Sequence, residues 1–227
     1  MADTTNTVAV RTIAGVTADT FRHLQLGPGA LIRDFEYENI ATPDEFKRAV
    51  ETALQNGQGL GGTIGGFNIN VTPQMRRIEV DGANIPFKGD SVIDSWECYM
   101  ETTLKEFTPD ILGAAFPTSE FVSENKGITA MRIRTGISRG DYWKNACWIA
   151  STQYGFVMVA MHNALGRTTG SVSSQDKGEG QIPYRVDGHI EDFSEIDFAP
   201  CEILFVDTVG GLERVRVGDD NEKVIGV

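Results

Sequence analysis

The chain has 227 residues, of which 41% are hydrophobic and 23% are charged, the composition of an ordinary globular protein. Its 32 acidic residues outnumber its 20 basic ones, giving a formal net charge of −12. This balance disfavours tight binding to a nucleic-acid backbone, which needs an excess of Lys and Arg. The N-terminus has no basic region followed by an apolar block, and no segment approaches the ~20 apolar residues of a membrane span. We expect a soluble, unexported protein with no membrane contact and one large β-rich domain.

The cysteines and histidines predict neither a disulfide framework nor a metal site. Cys98, Cys147 and Cys201 are odd in number and show no C-x-x-C spacing. Each lies among apolar neighbours, which indicates a small core side chain. The three histidines stand far apart in the chain, and none belongs to a pair with ligand spacing. We therefore expect no metal and no cofactor.

The N-terminal part of the chain predicts an arm, a strand and a helix. Residues 1–29 are rich in Thr, Ala and Gly without periodicity, which indicates an arm or loop. Residues 30–37 have the apolar side chains of a first strand. The run Thr42-Pro43-Asp44-Glu45 combines an N-cap, a proline at the first helical position and a glutamate at N3. It predicts an amphipathic helix over residues 43–56 that ends at Gly57.

A glycine-rich segment follows this helix and imitates a nucleotide-binding motif. Gly57, Gly59 and Gly62 fit the spacing G-x-G-x-x-G. In the dinucleotide fold, that motif follows a strand and opens a helix, so that the helix N-terminus meets the phosphates. Here the predicted helix comes before the glycines and a strand comes after them. No G-K-[ST] run occurs either, so we do not expect nucleotide binding.

Strand patterns dominate the middle of the chain. Residues 67–71 alternate apolar and polar, Pro73 is predicted to interrupt them, and residues 76–80 alternate again before an Asp81-Gly82 turn. Residues 90–107 form one long alternating run, which at about 3.3 Å per residue could exceed 50 Å. One face of this run is predicted to carry Val92, Trp96, Cys98 and Met100, and the other Ile93, Ser95, Glu97 and Glu101. So long a strand bends, crosses between sheets or pairs with another chain.

The second half of the chain predicts further strands and one more helix. Thr108-Pro109-Asp110 begins a short helix that ends near residue 116. Strands are predicted at 128–137, 145–151, 156–165, 182–190 and 202–206, with a polar loop at 166–181. The segment 145–151 also fits a helix, and residues 212–227 fit a last strand or an arm. The total is about eight to ten strands and two helices, so we expect a mainly β fold.

One motif favours an enzymatic alternative. Residues 136–140 match G-x-S-x-G, the nucleophile elbow of serine hydrolases, and Asp187 and His189 follow Ser138 in the order of a catalytic triad. However, that hydrolase fold needs alternating strands and helices, and the chain has no HGG-like oxyanion loop. A small serine hydrolase using Ser138 is therefore the alternative, and our main expectation is that the protein is not an enzyme.

The order of elements resembles a known family. The block LGGTIGGFNINVTPQMRRIEVDGANIPFKGD, followed by a long strand and a short helix, is similar to the tail tube (major tail) proteins of bacteriophages with long non-contractile tails. Residues 182–184 and 199–205 look like the last core strands of that family. The resemblance covers residues 30–206. It implies an N-terminal arm at residues 1–29, a tail tube domain at 30–206 and a C-terminal extension or last strand at 207–227.

The resemblance implies both an architecture and a function. The fold would be two packed antiparallel sheets, a β-sandwich or barrel-like domain with one or two flanking helices. The protein would form hexameric rings that stack into a hollow tail tube, through which DNA passes without specific binding. Its partners would be copies of itself and the tape measure, tail terminator and distal tail proteins. It would be assembled in the host bacterial cytoplasm and reside in the virion tail. A distal tail protein, a baseplate-hub protein or a secretion-system tube on the same fold are alternatives.

The resemblance also implies roles for particular residues. An acidic lumen would repel DNA phosphates, and the predicted lumen-lining residues are Asp94, Glu97 and Glu101. The alternative is that these side chains face outer solvent, and that the acidity of the chain serves solubility alone. In the family, an early loop and the terminal arms contact the next ring. The predicted contact residues in that loop are Arg76, Arg77, Asp81 and Lys88.

Overall fold

The computed structural model describes residues 25–82, 85–125, 128–174, 179–192, 197–207 and 211–216. These residues form ten strands and two α-helices, so the expected mainly β fold is confirmed. The elements in chain order are β1 (Gln25–Arg33), α1 (Pro43–Gln55), β2 (Thr63–Arg77), β3 (Ser91–Leu104), α2 (Pro109–Ala115), β4 (Ser119–Asn125), β5 (Ile128–Ile133), β6 (Trp143–Thr152), β7 (Gly155–Thr168), β8 (Ile182–Asp187), β9 (Cys201–Asp207) and β10 (Gly211–Arg216).

The strands form two antiparallel sheets that share β7. The first sheet has the order β1-β6-β7-β9-β10, and the second has the order β2-β3-β8-β7. The first half of β7, Gly155 to Met161, pairs with β9, and its end, Leu165 to Thr168, pairs with β8. The strand that crosses between the sheets is therefore β7. The hairpin of β4 and β5 forms a separate small sheet.

The main core lies between the two sheets. Met100 from β3, Trp148 from β6, Met161 from β7 and Tyr184 from β8 are all buried in one apolar cluster. Helix α2 adds Ile111 to the same cluster and packs against β7 and β8. All three cysteines are buried, which confirms their predicted place in the core. Burial of this layer joins the sheets into one sandwich.

Helix α1 covers the opposite face of the first sheet. Phe46 and Ala53 are buried there in a second apolar cluster. The Thr42 hydroxyl accepts a hydrogen bond from the Glu45 backbone N–H at 3.3 Å, and the Glu45 carboxylate accepts one from the Thr42 N–H at 3.3 Å. Gly57 has a φ of +73° just beyond the helix. The predicted capping box and helix are thus confirmed, with the end at Gln55.

Several predicted strand boundaries were wrong. Strand β1 begins at Gln25, not at residue 30, and passes through Pro28. The Pro28 carbonyl accepts a hydrogen bond from the Trp148 indole at 3.0 Å, which attaches this early part of the strand to β6. The rest of the predicted arm, residues 1–24, lies outside the described residues. Strand β10 is the predicted last strand, and the segment 217–227 also lies outside the described residues. Four other strand ends also differ from the prediction: β3 ends at Leu104 and not at 107, β5 at Ile133 and not at 137, β7 at Thr168 and not at 165, and β8 at Asp187 and not at 190. Strand β4 was not predicted.

The predicted interruption at Pro73 was also wrong. Strand β2 runs through this residue without a break, and Pro73 stands opposite Trp96 of β3. Within the described chain, the other side of β2 has no strand partner. A proline fits an edge strand because no second ladder requires its missing N–H. The edge position of β2 therefore explains why a residue that usually stops a strand is accepted here.

Candidate assembly surface

The hairpin of β2 and β3 extends beyond the sandwich. Strand β3 pairs with β8 only from Tyr99 to Leu104, whereas it pairs with β2 along its whole length. Trp96 still packs against the core, but the residues before it have no layer to cover them. The hairpin therefore ends as a two-stranded ribbon, and its far end holds the predicted contact residues.

A β-bulge at Asp94 determines which side chains share a face of this hairpin. The register pairs Gln74 with Ser95 and Met75 with Ile93, so Asp94 is an extra residue on β3. Simple alternation predicted Val92 on the same face as Trp96, which is the core face in the structure. Because the bulge reverses the alternation, Val92 stands opposite Arg76 on the outer face, and Ile93 moves to the core face. That part of the sequence prediction was wrong.

The bulge also gathers the three predicted acidic residues on the outer face. Glu97 and Glu101 stand opposite Thr72 and Asn68, which share the outer face of β2 with Arg76. Asp94 reaches the same face, since its carboxylate oxygens lie 3.0 and 3.2 Å from the Arg76 guanidinium nitrogens. The structure therefore brings these carboxylates to one side of the second sheet. Whether that side lines a lumen stays a prediction.

Arginines neutralise most of the charge on this face. The guanidinium of Arg185 lies 3.7 Å from the Glu101 carboxylate and 2.6 Å from that of Asp187, and its central carbon lies 3.5 Å from the centre of the Tyr99 ring. Asp187 also accepts a hydrogen bond from Arg167 at 2.9 Å. Among the described residues, Glu97 takes part in no ion pair. Glu97 is therefore the predicted lumen residue that leaves a negative charge uncompensated.

Asp90 fixes the far end of the hairpin. Its carboxylate accepts hydrogen bonds from the Phe87 backbone N–H at 3.1 Å, the Arg77 guanidinium at 2.7 Å and the Ser91 hydroxyl at 3.0 Å. The Phe87 N–H, with help from Ser91 and Arg77, lowers the pKa of Asp90. Arg77 also donates to the Ile85 carbonyl at 2.9 Å. Sequence reasoning missed Asp90, although an aspartate that closes a Pro-Phe-Lys-Gly turn is a recognisable turn residue.

The four predicted contact residues have two different roles. Arg76 and Arg77 belong to β2 and hold the hairpin together through Asp94 and Asp90. Asp81 and Lys88 are exposed and form no ion pair within the described part of the chain. The two arginines thus stabilise the surface, and the other two charges are available to a partner.

The end of the hairpin exposes a large apolar surface. Met75, Val80, Ile85 and Phe87 are each between 63% and 69% exposed, and Ile78, Val92 and Ile93 are also exposed. Apolar residues scattered singly on a surface are normal, whereas several large ones concentrated in one hairpin make it a candidate interaction site. We name this group the hairpin tip.

The outer edge of β2 is a second unsatisfied surface. Strand β2 contains 15 residues and pairs with β3 alone among the described strands. An edge of this length offers a row of backbone donors and acceptors to another chain. Lysine, proline or a bulge can weaken such an edge, and β2 has Pro73 and a shift of register between Ile64 and Asn68. The rest of the edge pairs with no other described strand, although β1 lies close to part of β2.

The residues of the hydrolase alternative do not form a triad. Ser138 begins a short 3-10 turn between β5 and β6, and its N–H donates to Asp141 at 2.7 Å. The two Asp187 oxygens accept hydrogen bonds from Arg167 and Arg185. The His189 Nδ1 atom lies 3.2 Å from the Asn163 carbonyl oxygen. No hydrogen bond joins Ser138 to His189, or His189 to Asp187, in the described chain.

Other kinds of site find little support in the geometry. The glycine-rich segment leads into strand β2, where Gly65 and Gly66 have positive φ at the shift of register, and not into a helix. Within the described ranges, His, Cys, Asp and Glu side chains form no cluster of three or more that could bind a metal. In the same ranges, no helix has both the length and the apolar character needed to cross a membrane.

Two comparisons with known proteins found no match to this chain. No protein-family model matches it, and no curated protein matches it either. The hairpin tip, the β2 edge and the fold are therefore the features of the molecule from which a function can be inferred.

Proposed function

We propose that the protein is the structural subunit of a phage tail tube, which forms hexameric rings that stack into a hollow conduit for DNA ejection. The observation that carries this proposal is the β2–β3 hairpin, which leaves the sandwich with an exposed apolar tip and an open edge. The mainly β fold and the sequence resemblance agree with it. The proposal places the protein in the virion tail, after assembly in the bacterial cytoplasm.

Ring formation would satisfy the edge of β2. In a closed ring, each subunit pairs the edge strand of its second sheet with the neighbouring subunit, so that no edge remains. The second sheets would then form a continuous inner barrel. The outer face of β2 and β3, with Glu97, would line its lumen. The uncompensated carboxylate of Glu97 would repel phosphates there and let DNA pass without sticking.

Ring stacking would bury the hairpin tip. The tip projects beyond the layer of strands that forms the sandwich, so it can reach a ring above or below. Asp90 and Arg77 hold it in one conformation before it meets a partner, which reduces the entropy lost on association. Asp81 and Lys88 would supply charged contacts around the apolar residues.

Negative-stain microscopy and sedimentation of the purified full chain test this proposal. We expect rings or tubes for the wild-type protein, with assembly increasing with concentration. Phe87→Asp and Ile85→Asp should prevent the stacking of rings, because each introduces a carboxylate into the buried contact. Ile137→Asp is the matched control, since Ile137 is 59% exposed but lies outside the hairpin. A wild-type protein that stays monomeric at high concentration, and forms no polymer in virions, would contradict the proposal.

Copy number separates a tube subunit from other tail components with the same surfaces. A tube protein is present in many rings per virion, whereas a distal tail or baseplate-hub protein forms one or two. Quantitative mass spectrometry of virions, with the capsid protein as the reference, measures this ratio. We expect a ratio that places the chain among the most abundant virion proteins. A ratio that corresponds to a single ring would assign it to the hub.

A further inference from the structure

The two sheets of the sandwich each contribute a buried cysteine to the same place in the core. Cys98 belongs to β3 of the second sheet and is 5% exposed, and Cys201 belongs to β9 of the first sheet and is 4% exposed. Their thiols lie near enough for one to hydrogen-bond the other. Both belong to the apolar cluster between the sheets. The contact was not expected from the sequence, where the two residues are far apart.

The backbone at Gly188 packs between the strands that carry Cys98 and Cys201 and keeps them close together. The Gly188 N–H donates to the Cys98 carbonyl at 3.0 Å. A Cβ atom on Gly188 would lie 2.6 Å from the Pro200 carbonyl oxygen, directly before Cys201 in the chain. The chain after β8 therefore packs tightly against both cysteine-bearing strands. Glycine at this position allows β3 and β9 to approach closely enough for their thiols to meet.

The hydrogen bond makes the two thiols chemically unequal. The contact with the Cys201 thiol lowers the pKa of Cys98, although burial opposes this effect. The same contact, together with burial, raises the pKa of Cys201. The thiolate is the reactive form of cysteine, so the direction of these two shifts favours Cys98 as the attacking sulfur and Cys201 as the sulfur that closes the disulfide.

We propose that Cys98 and Cys201 are a redox-sensitive pair, which peroxide converts into a disulfide that links the two sheets. The Cys98 thiolate attacks one peroxide oxygen and breaks the O–O bond, which gives a sulfenic acid and, after proton uptake, one water. The Cys201 sulfur then attacks the Cys98 sulfur, forms the S–S bond and displaces hydroxide, which leaves as a second water with the Cys201 proton. The two thiols lose two electrons in total, and these reduce the peroxide. This inference does not depend on the proposed function.

Cys147 supplies an internal control. It is fully buried in the other apolar cluster, between the first sheet and α1. Burial, followed by the nearby charges of Glu202 and Asp34, raises the pKa of its thiol. It therefore has neither a thiol partner nor a thiolate form in the folded chain, and peroxide should leave it unchanged.

Thiol counting and mass spectrometry test the proposal on the full chain. Titration with a thiol reagent in denaturant should find three thiols before peroxide treatment and one afterwards. The intact mass should fall by two hydrogen atoms, and a peptide map should show Cys98 linked to Cys201. The melting temperature should rise in non-reducing buffer, because a cross-link between distant residues restricts the unfolded chain. Dithiothreitol should reverse each change.

Single variants make the outcome decisive. Cys98→Ala and Cys201→Ala should each abolish the linked peptide and the rise in melting temperature, whereas Cys147→Ala should preserve both. If a variant fails to fold, the peptide map of the wild-type protein still decides the question. A folded wild-type protein that keeps all of its thiols after peroxide treatment would overturn the proposal. So would addition of oxygen to Cys98 without a link to Cys201.

Discussion

The guanidinium of Arg76 meets the carboxylate of Asp94 across the β2–β3 hairpin, with a nitrogen–oxygen distance of 3.0 Å. The two residues meet because Asp94 is the extra residue of a bulge and turns toward the outer face. A bulge also increases the local twist of a strand pair. The direction in which the hairpin tip leaves the sandwich therefore depends on one residue.

Deletion of Asp94 should separate folding from assembly. Without Asp94, the ladder from Gln74–Ser95 to Met75–Ile93 would become regular. The deletion also removes the exposed Arg76–Asp94 ion pair, which contributes at most about 1 kcal/mol. The free energy of unfolding should therefore change by no more than that amount. The altered twist should redirect the hairpin tip and abolish tube formation in electron micrographs. Asp94→Asn keeps the bulge and should still assemble. Normal tubes from the deletion variant would show that the bulge does not orient the tip.

Charge reversal at Glu97 should make an assembled tube retain DNA. Glu97→Lys replaces the uncompensated carboxylate of the outer face, so tubes assembled with short duplex DNA should retain several-fold more of it at low salt than wild-type tubes, with the excess lost as salt rises. Co-sedimentation of labelled DNA measures the retention. Glu51→Lys, on the exposed side of α1, changes the net charge equally and should have no such effect. Equal retention by both variants would argue against a lumen position for Glu97.

Loss of the capping box should weaken the packing of α1. In Thr42→Ala, the Glu45 backbone N–H loses its acceptor, and the free energy of unfolding should fall by about 1 kcal/mol in urea titrations. Thr52→Ala lies within the same helix, where the Thr52 hydroxyl only donates back to the Arg48 carbonyl. Since alanine favours helix, that control should be neutral or slightly stabilising. Equal losses in both variants would rule out a special role for the cap.

Gly166 and Tyr184 should be energetically coupled. A Cβ atom on Gly166 would lie 2.0 Å from the Tyr184 hydroxyl oxygen, so Gly166→Ala should lower the free energy of unfolding by about 1–3 kcal/mol. The buried Tyr184 hydroxyl has no hydrogen-bond partner in the described chain, so Tyr184→Phe should be neutral or stabilising. In the Tyr184→Phe background, the hydroxyl oxygen is absent, so Gly166→Ala should lower the free energy of unfolding by a smaller amount. A double-mutant cycle by urea unfolding checks this, and simple additivity would contradict it.

Asp141 should contribute to the acid sensitivity of the protein. The Ser138 N–H, followed by Arg134, lowers the pKa of Asp141 in the folded chain. The contribution of the Asp141 carboxylate to the free energy of unfolding is therefore complete above the unfolded pKa of about 3.9. It is lost as pH falls toward and through the lower pKa of the folded state. Asp141→Asn should flatten the decline of stability in that range, as followed by urea midpoints at several pH values. Asp81→Asn should leave the profile unchanged, and an unchanged profile for Asp141→Asn would contradict the prediction.

Local signals explain the parts of the fold that the sequence predicted correctly. Helix α1 has its start and stop residues within a few positions of Thr42 and Gly57, so its bounds depend on neighbouring residues only. The β6–β7 hairpin has the same advantage, because its turn and both arms are contiguous. The alternation of Glu97 and Glu101 also follows from the strand itself, and the structure places both on one face.

Long-range contacts explain what could not be predicted. The pattern before Trp96 contains no sign of the bulge, because the bulge exists only relative to β2. Pro73 is acceptable because β2 is an edge, and edge position depends on the order of strands that are distant in the chain. The contact of Cys98 with Cys201 requires two sheets to pack. The turn that Asp90 closes is different, because its residues are neighbours in the chain and the sequence alone contains its signal.

Strand β7 connects the two sheets along a single stretch of backbone. It contributes its first half to the ladder with β9 and its end to the ladder with β8, while β6 runs along its other side. The two sheets are therefore joined by the covalent backbone of β7 between Met161 and Leu165 as well as by the packed core. A pulling force on the β2–β3 hairpin would pass through β8 into β7 and so into the whole domain. The subunit would therefore resist tension as a single body. In the proposed tube, this is a property that every subunit needs.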